Sequence, residues 1–271
     1  HPHAALLLEG DGRRYLAVSD LHIGMESELG ARGITLGSSL TGEMLDALVS
    51  IVKSNSIDAL VLLGDVKNTV GAISKQEWDD VPAFFERLVQ HTDVYLVPGN
   101  HDGNIGRLVP ATVNLSASRG MVVGDTLFVH GHSMPSEARS HVRRIVMGHL
   151  HPVFFRQGSV LAGQPVWVYM QVKRGALFSS AFSTVEEGRK EGTEELVEVI
   201  VVPSFNRHLY ADGGGDARVK PGGRSGGLTR KKSTSPIISR VMEKGAVARC
   251  VIATLDGSIV GDDASVLALE L

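Results

Sequence analysis

Five short groups of polar residues, each set directly after an apolar run, carry side chains that can bind a metal ion or move a proton. "AVSDLHIG" ends on Asp20 and His22, "LVLLGDVKN" on Asp65 and Asn68, and "YLVPGNHD" on Asn100, His101 and Asp102. "TLFVHGH" then ends on His130 and His132, and "IVMGHLHP" on His149 and His151. Turn formation accounts for the glycine and asparagine in such stretches, because both tolerate positive φ, but not for a His beside an Asp. One Asp after a strand ordinarily caps a helix, and one His is ordinarily a satisfied core residue. Five such groups in one chain call for a common explanation. Neutral imidazole and carboxylate are the donors of catalytic zinc, manganese or iron sites. In an extended segment residues i and i+2 point to one side, so the spacing predicts that Asp20 pairs with His22 and His149 with His151. Seven donors suit two ions sharing a carboxylate. The single cysteine, Cys250, excludes a thiolate-rich site and an intrachain disulfide.

Donors scattered over 130 residues need a scaffold that collects strand ends. Short β-branched or leucine-rich runs ("ALLLE", "RYLAVSD", "IDALVLLGD", "DVYLVPGN", "RRIVMGHLH") alternate with helical spacing over Gly37–Asn55 and Glu77–Gln90. That alternation predicts an α/β architecture, and the carboxyl ends of strands in an open α/β sheet share one edge, where ligands bind. "MVVGDTLFVHG" reads as a hairpin turning at Gly124 and Asp125, so the sheet is expected to be mixed. The later runs "PVWVYMQV", "EELVEVIVVP", "AVARCVIATLDGSIV" and "VLALEL" are more purely β. With no long linker before them, residues 1–271 are expected to form one domain. Residues 207–235 break the pattern, with seven Lys or Arg, two Asp and many Gly and Ser. The segment reads as a flexible basic loop between strands, with docking of a polyanion as the alternative.

A net charge of −3 supplies no general attraction for nucleic acid, so any such contact would be local. The N-terminal apolar stretch is too short for a signal peptide, and no window reaches the length of a spanning helix. A soluble, cytoplasmic protein without a membrane partner is expected. His1 and His3 read as part of a loose terminus, and Lys67 and Arg107 as solvated charges. His91, His141 and His208 read as surface residues. The spacing leaves two roles open for His132, substrate contact or structural hydrogen bonding. Two are also open for Asn68, bonding to the site or ending a loop.

The ordered series D-x-H, G-D-x-x-N, G-N-H-D, H-G-H and G-H-x-H, spanning Asp20 to His151, resembles the calcineurin-like metallophosphoesterases. "VVPSFN" and "SPIISR…VARCVIATLDGSIV" are also similar to the archaeal SbcD/Mre11-related phosphoesterases. The resemblance implies a four-layer sandwich of two mixed sheets flanked by helices. It implies one divalent ion held by Asp20, His22, Asp65 and His151. A second would be held by Asp65, Asn100, His130 and His149, with Asp65 bridging. Manganese is the expected metal, with iron, zinc or nickel as alternatives. His101 would act beside the phosphate as acid or charge stabiliser, and Asp102 would orient its ring. The implied activity is hydrolysis of a phosphate ester, a diester before a monoester, by in-line attack of a metal-bridging hydroxide. The substrate would be a nucleotide or nucleic acid. Two alternatives stand beside it: a nuclease working with an ATPase partner, and a non-catalytic protein-binding scaffold of the same fold.

Overall fold

In the computed structural model, which describes residues 3–31, 33, 39–154, 159–178, 195–210 and 235–262, the apolar residues of each central strand alternate between two cores. The first sheet runs β1 (Leu6–Gly10), β2 (Arg13–Val18), β3 (Ala59–Leu62), β4 (Asp93–Leu96) and β5 (Asn114–Leu115) in spatial order. β1 is antiparallel to β2, and the other neighbours are parallel. The second sheet is built from β6 (Met121–Val123), β7 (Thr126–Val129), β8 (Arg144–Met147), β9 (Val153–Phe154), β10 (Gln164–Lys173), β11 (Leu196–Val201), β12 (Val247–Thr254) and β13 (Ile259–Gly261). Its order is β13-β12-β10-β11-β8-β7-β6, with β9 paired to β10. Within it β7, β8 and β11 are parallel.

Leu16, Val18, Leu60 and Leu62 face α2 (Leu40–Asn55) and α3 (Lys75–Leu88), packing on Leu48, Val81 and Phe85. Their neighbours Ala17 and Val61 point the other way, onto Phe128, Val146, Trp167 and Ile200 of the second sheet. The far side of that sheet, with Ile145, Val168 and Val199, is covered by Leu177 of α4 (Arg174–Leu177) and by Ile237 and Val241 of α5 (Pro236–Glu243). Period-two alternation of apolar residues on both faces thus yields four layers, helix, sheet, sheet and helix, as expected.

Local chemistry sets the element ends. α2 begins at Leu40 because the Ser39 side chain accepts the Gly42 amide; residues 37 and 38 lie outside the described ones. α3 begins at Lys75, ahead of the expected Glu77, because Ser74 and Glu77 form a capping box. The hairpin turns at Gly124 and Asp125, where Gly124 takes φ 56° and Val123 pairs with Thr126. Of the basic segment, Arg207–Tyr210 form a short 3-10 turn and Ser235 is buried ahead of α5; residues 211–234 and the run "VLALEL" lie outside the described residues. Among the described residues no helix is long and apolar enough to cross a membrane.

Candidate metal centre

The expected convergence is present, but the backbone reaches it by another route than an extended i, i+2 spacing. β2 ends at Val18 and β8 at Met147, so Asp20, His22, His149 and His151 all lie beyond the strands. Asp20, His22, Asp65, His149 and His151 each adopt positive φ, at 59°, 49°, 50°, 75° and 43°. Left-handed backbone at a non-glycine residue is strained by about 1–3 kcal/mol, and such strain clusters where function requires it. Neighbouring loops hold it in place. The Asp20 amide donates to Gly64 O (3.1 Å), His22 N to Asp65 O (2.9 Å) and Gly148 N to His130 O (3.0 Å). The fit leaves no room for side chains at the intervening glycines. A Cβ on Gly148 would lie 1.7 Å from Ser19 Oγ, and one on Gly99 would lie 2.2 Å from Asp65 Oδ1.

Two groups of donors result. Asp20, His22 and His151 form one, and Asp65, His130 and His149 the other, with the ligand atoms of each within 4.8 Å of one another. His149 and His151 therefore do not pair; the turn sends them to different groups. Each carboxylate uses one oxygen for a backbone amide and aims the other inward. Asp20 Oδ2 accepts His149 N at 3.1 Å, while Oδ1 lies 3.1 Å from His151 Nε2, not aligned for a hydrogen bond. Asp65 Oδ1 accepts His101 N at 2.8 Å, while Oδ2 lies 3.3 Å from His130 Nε2 and 3.9 Å from His22 Nε2, between the two groups. His130 Nε2 is also 3.0 Å from Asn100 Oδ1 and 3.1 Å from His149 Nδ1, so all seven expected donors meet. Asp20 Oδ1, both ring nitrogens of His22 and His151 Nε2 are buried with no hydrogen-bond partner. Buried polar atoms are ordinarily satisfied. Nitrogen and oxygen donors about 3 Å apart have the spacing of ligands that share one ion at about 2.0–2.1 Å. The residues present fit two divalent cations.

The family model of the calcineurin-like phosphoesterases matches residues 13–177. The chain belongs to this family. Among solved structures, the nuclease MPE of Pseudomonas putida is 20% identical, with 74% of this chain and 87% of that one covered and a TM-score of 0.46. A protein of unknown function from Aquifex aeolicus, AQ665, is 18% identical over 54% of this chain and 83% of that one, with a TM-score of 0.36. No curated protein matches the chain.

Around the metal donors, two residues of this calcineurin-like phosphoesterase, Asp102 and Lys67, depart from expectation. Asp102 does not reach the His101 ring. Its Oδ1 accepts the amides of Val66 (2.9 Å) and Lys67 (3.2 Å), and its Oδ2 accepts that of Gly99 (2.8 Å), so the carboxylate ties the G-D loop to the G-N-H-D loop. The ring of His101 is instead oriented by the backbone carbonyl of Asn68, 2.5 Å from Nδ1. A carbonyl only accepts, so Nδ1 carries the proton and Nε2 faces the centre, 3.9 Å from Asp65 Oδ2. The Asn68 side chain itself turns outward and donates to Glu28 Oε2. Lys67 is not a solvated charge. Its side chain is fully buried, with Nζ donating to Thr69 O. His132 stands 5.4 Å from the His130 ring, its Nδ1 buried without a partner, so no hydrogen bond at that atom gives it a structural role.

Protonation at the centre follows from burial and neighbours. Burial lowers His22 and His149 to about 4 each, leaving both neutral and ready to coordinate at pH 7. Burial also disfavours charge on His130, but Asp65 and Asp20 outweigh it and raise that ring to about 9. For Asp20, burial pushes the carboxyl up, while His151, His130 and His22 more than reverse this and hold it below the ordinary range. Asp65 is held down against burial in the same way, chiefly by His130.

Sequence reasoning did not single out Ser204 and Asn206, whose side chains reach the backbone of the Asp20 loop. Their only signal was membership of "VVPSFN".

Proposed function

We propose that the chain is a two-metal phosphodiesterase, with Asp20, His22, Asp65 and His151 holding one ion and Asp65, Asn100, His130 and His149 the other. The observation that carries this is the inward oxygen of Asp65 placed between two groups of buried donors. Divalent cations bound there, manganese being the one we favour, supply positive charge against the phosphate oxygens and acidify water. The chain's own residues supply the rest. His101, with Nδ1–H fixed on the Asn68 carbonyl, presents Nε2 to the substrate; in the cationic form the proton on Nε2 passes to the departing alcohol oxygen. The partly exposed His151 and His101 mark the open side of the centre.

The test is hydrolysis of bis-p-nitrophenyl phosphate by metal-stripped protein resupplied with manganese, beside His101→Ala. Manganese-dependent turnover is expected, with His101→Ala lower by about 10²- to 10⁴-fold and its metal content unchanged. Turnover that needs no metal, or that survives loss of His101, would refute the assignment.

A further inference from the structure

We propose that Ser204 and Asn206, which follow the stretch matched by the family model, form a clamp that positions the Asp20, His22 and His151 ion site. The family match ends at residue 177. Beginning 19 residues later in the chain, β11 runs parallel to β8, and its continuation crosses to the first sheet. Val202 N donates to Met147 O (2.7 Å), fixing the segment beside the start of the G-H-x-H loop. The next residues then take up three consecutive carbonyls of the D-x-H loop. Phe205 N donates to Ser19 O (2.8 Å), Ser204 Oγ to Asp20 O (2.7 Å) and Asn206 Nδ2 to Leu21 O (2.9 Å).

This arrangement has a direct mechanical meaning. Fixing the carbonyls of residues 19–21 fixes the peptide planes on either side of Asp20 and ahead of His22, the two ligands that sit in left-handed backbone at φ 59° and 49°. Both clamp residues are 1% exposed, so water cannot replace their bonds. The amide of Asn206 has a defined orientation, since its Oδ1 accepts His208 N at 3.0 Å, leaving Nδ2 for Leu21. Tyr210 closes the unit by donating to Ser204 O. No side chain of this segment bonds to Asp65, Asn100, His130 or His149. The clamp therefore bears directly on the ligands of one ion site and reaches the other only through them, by holding ligands and not by touching substrate.

The inference rests on the two-metal reading, and manganese binding by the full chain tests both. The variants are Ser204→Ala, which removes one oxygen, and Asn206→Asp, which keeps the shape but sets a carboxylate oxygen against the Leu21 carbonyl. Thr92→Val is the control. It removes a hydroxyl-to-carbonyl bond (Thr92 Oγ1 to Ile57 O, 3.2 Å) ahead of β3 and β4, at the opposite edge of the sheet. Titration calorimetry counts the ions, and electron paramagnetic resonance separates a coupled manganese pair from a lone ion. Wild type and Thr92→Val are expected to bind two coupled ions. In the clamp variants one ion is expected to weaken about 10- to 100-fold, the range for loss of a residue that orients a ligand, and the lone-ion signal to replace the coupled one. Ser204→Ala, the smaller change, carries the test by itself if Asn206→Asp does not fold. Two ions in wild type, with both unchanged or both weakened equally in the variants, would overturn the clamp and leave the two-metal reading intact. A wild-type chain that binds no manganese would overturn both.

Discussion

Replacing Asp102 by Asn separates a carboxylate that holds backbone from one that tunes a histidine. Asp102 is 4% exposed and takes three amides, two on Oδ1 and one on Oδ2. In Asp102→Asn the oxygen stays on the side where it serves Val66 and Lys67, and the new NH₂ faces the Gly99 amide. One buried N–H then loses its acceptor, which costs about 1–3 kcal/mol, and the two remaining bonds lose their charge assistance. Asp102→Ala would orphan all three amides, at roughly 3–9 kcal/mol by the same reasoning, a large part of the about 5–15 kcal/mol that stabilises a typical fold. The assay is urea denaturation of the metal-free protein, where coordination contributes nothing. A fall of about 1–3 kcal/mol is expected for the Asn variant, with the tautomer of His101 unchanged because its Nδ1 partner is the Asn68 carbonyl. Stability within about 0.5 kcal/mol of wild type, combined with a collapse in turnover, would refute this and return Asp102 to the role of ring orienter.

Two further outcomes follow from the same geometry. With His130 raised from 6.5 to about 9, the metal-free protein carries a proton there at pH 7 that an incoming ion must displace. Manganese affinity should therefore climb by about tenfold per pH unit for that proton until the pH passes the raised pKa. Calorimetry in buffers of different ionisation heat should register the released proton, and its absence would count against His130 as a ligand. The sign for the metal-free fold is the reverse: a raised histidine stabilises fully below its unfolded value of 6.5, and this contribution is lost as the pH rises through about 9. Gly148→Ala would set a Cβ 1.7 Å from Ser19 Oγ and 2.8 Å from Asp20 Oδ2. Overpacking there should lower stability by about 1–3 kcal/mol and displace Asp20 from its ion, so that denaturation and manganese content fall together. Wild-type values for both would disprove the close approach.

The sequence by itself determined the α/β alternation of the elements and which residues are candidate donors. Period-two alternation places Leu16 and Val18 on one core and Ala17 on the other, and a run that is apolar at every position has to be covered on both faces. A chain of this composition gains nothing by ending five strands on His, Asp and Asn unless those ends meet. What the tertiary structure decided is which atoms face which. Asp102 and Asp65 are both acids in strand-end loops, yet one spends both oxygens on amides and the other keeps one for the centre, a difference set by where the Gly99, Val66 and Lys67 amides point. Lys67 reads as a surface charge because lysine is seldom buried, and only the packed loop shows it fully enclosed. The division of His149 from His151 depends on two left-handed residues two positions apart, a conformation uncommon for any non-glycine residue even though histidine is enriched in it. Ser204 and Asn206 lie 184 and 185 residues from the carbonyls they hold. In a linear chain they look like any serine and asparagine after a strand; what they do is fixed by β11 running beside β8, a pairing that long-range packing alone creates.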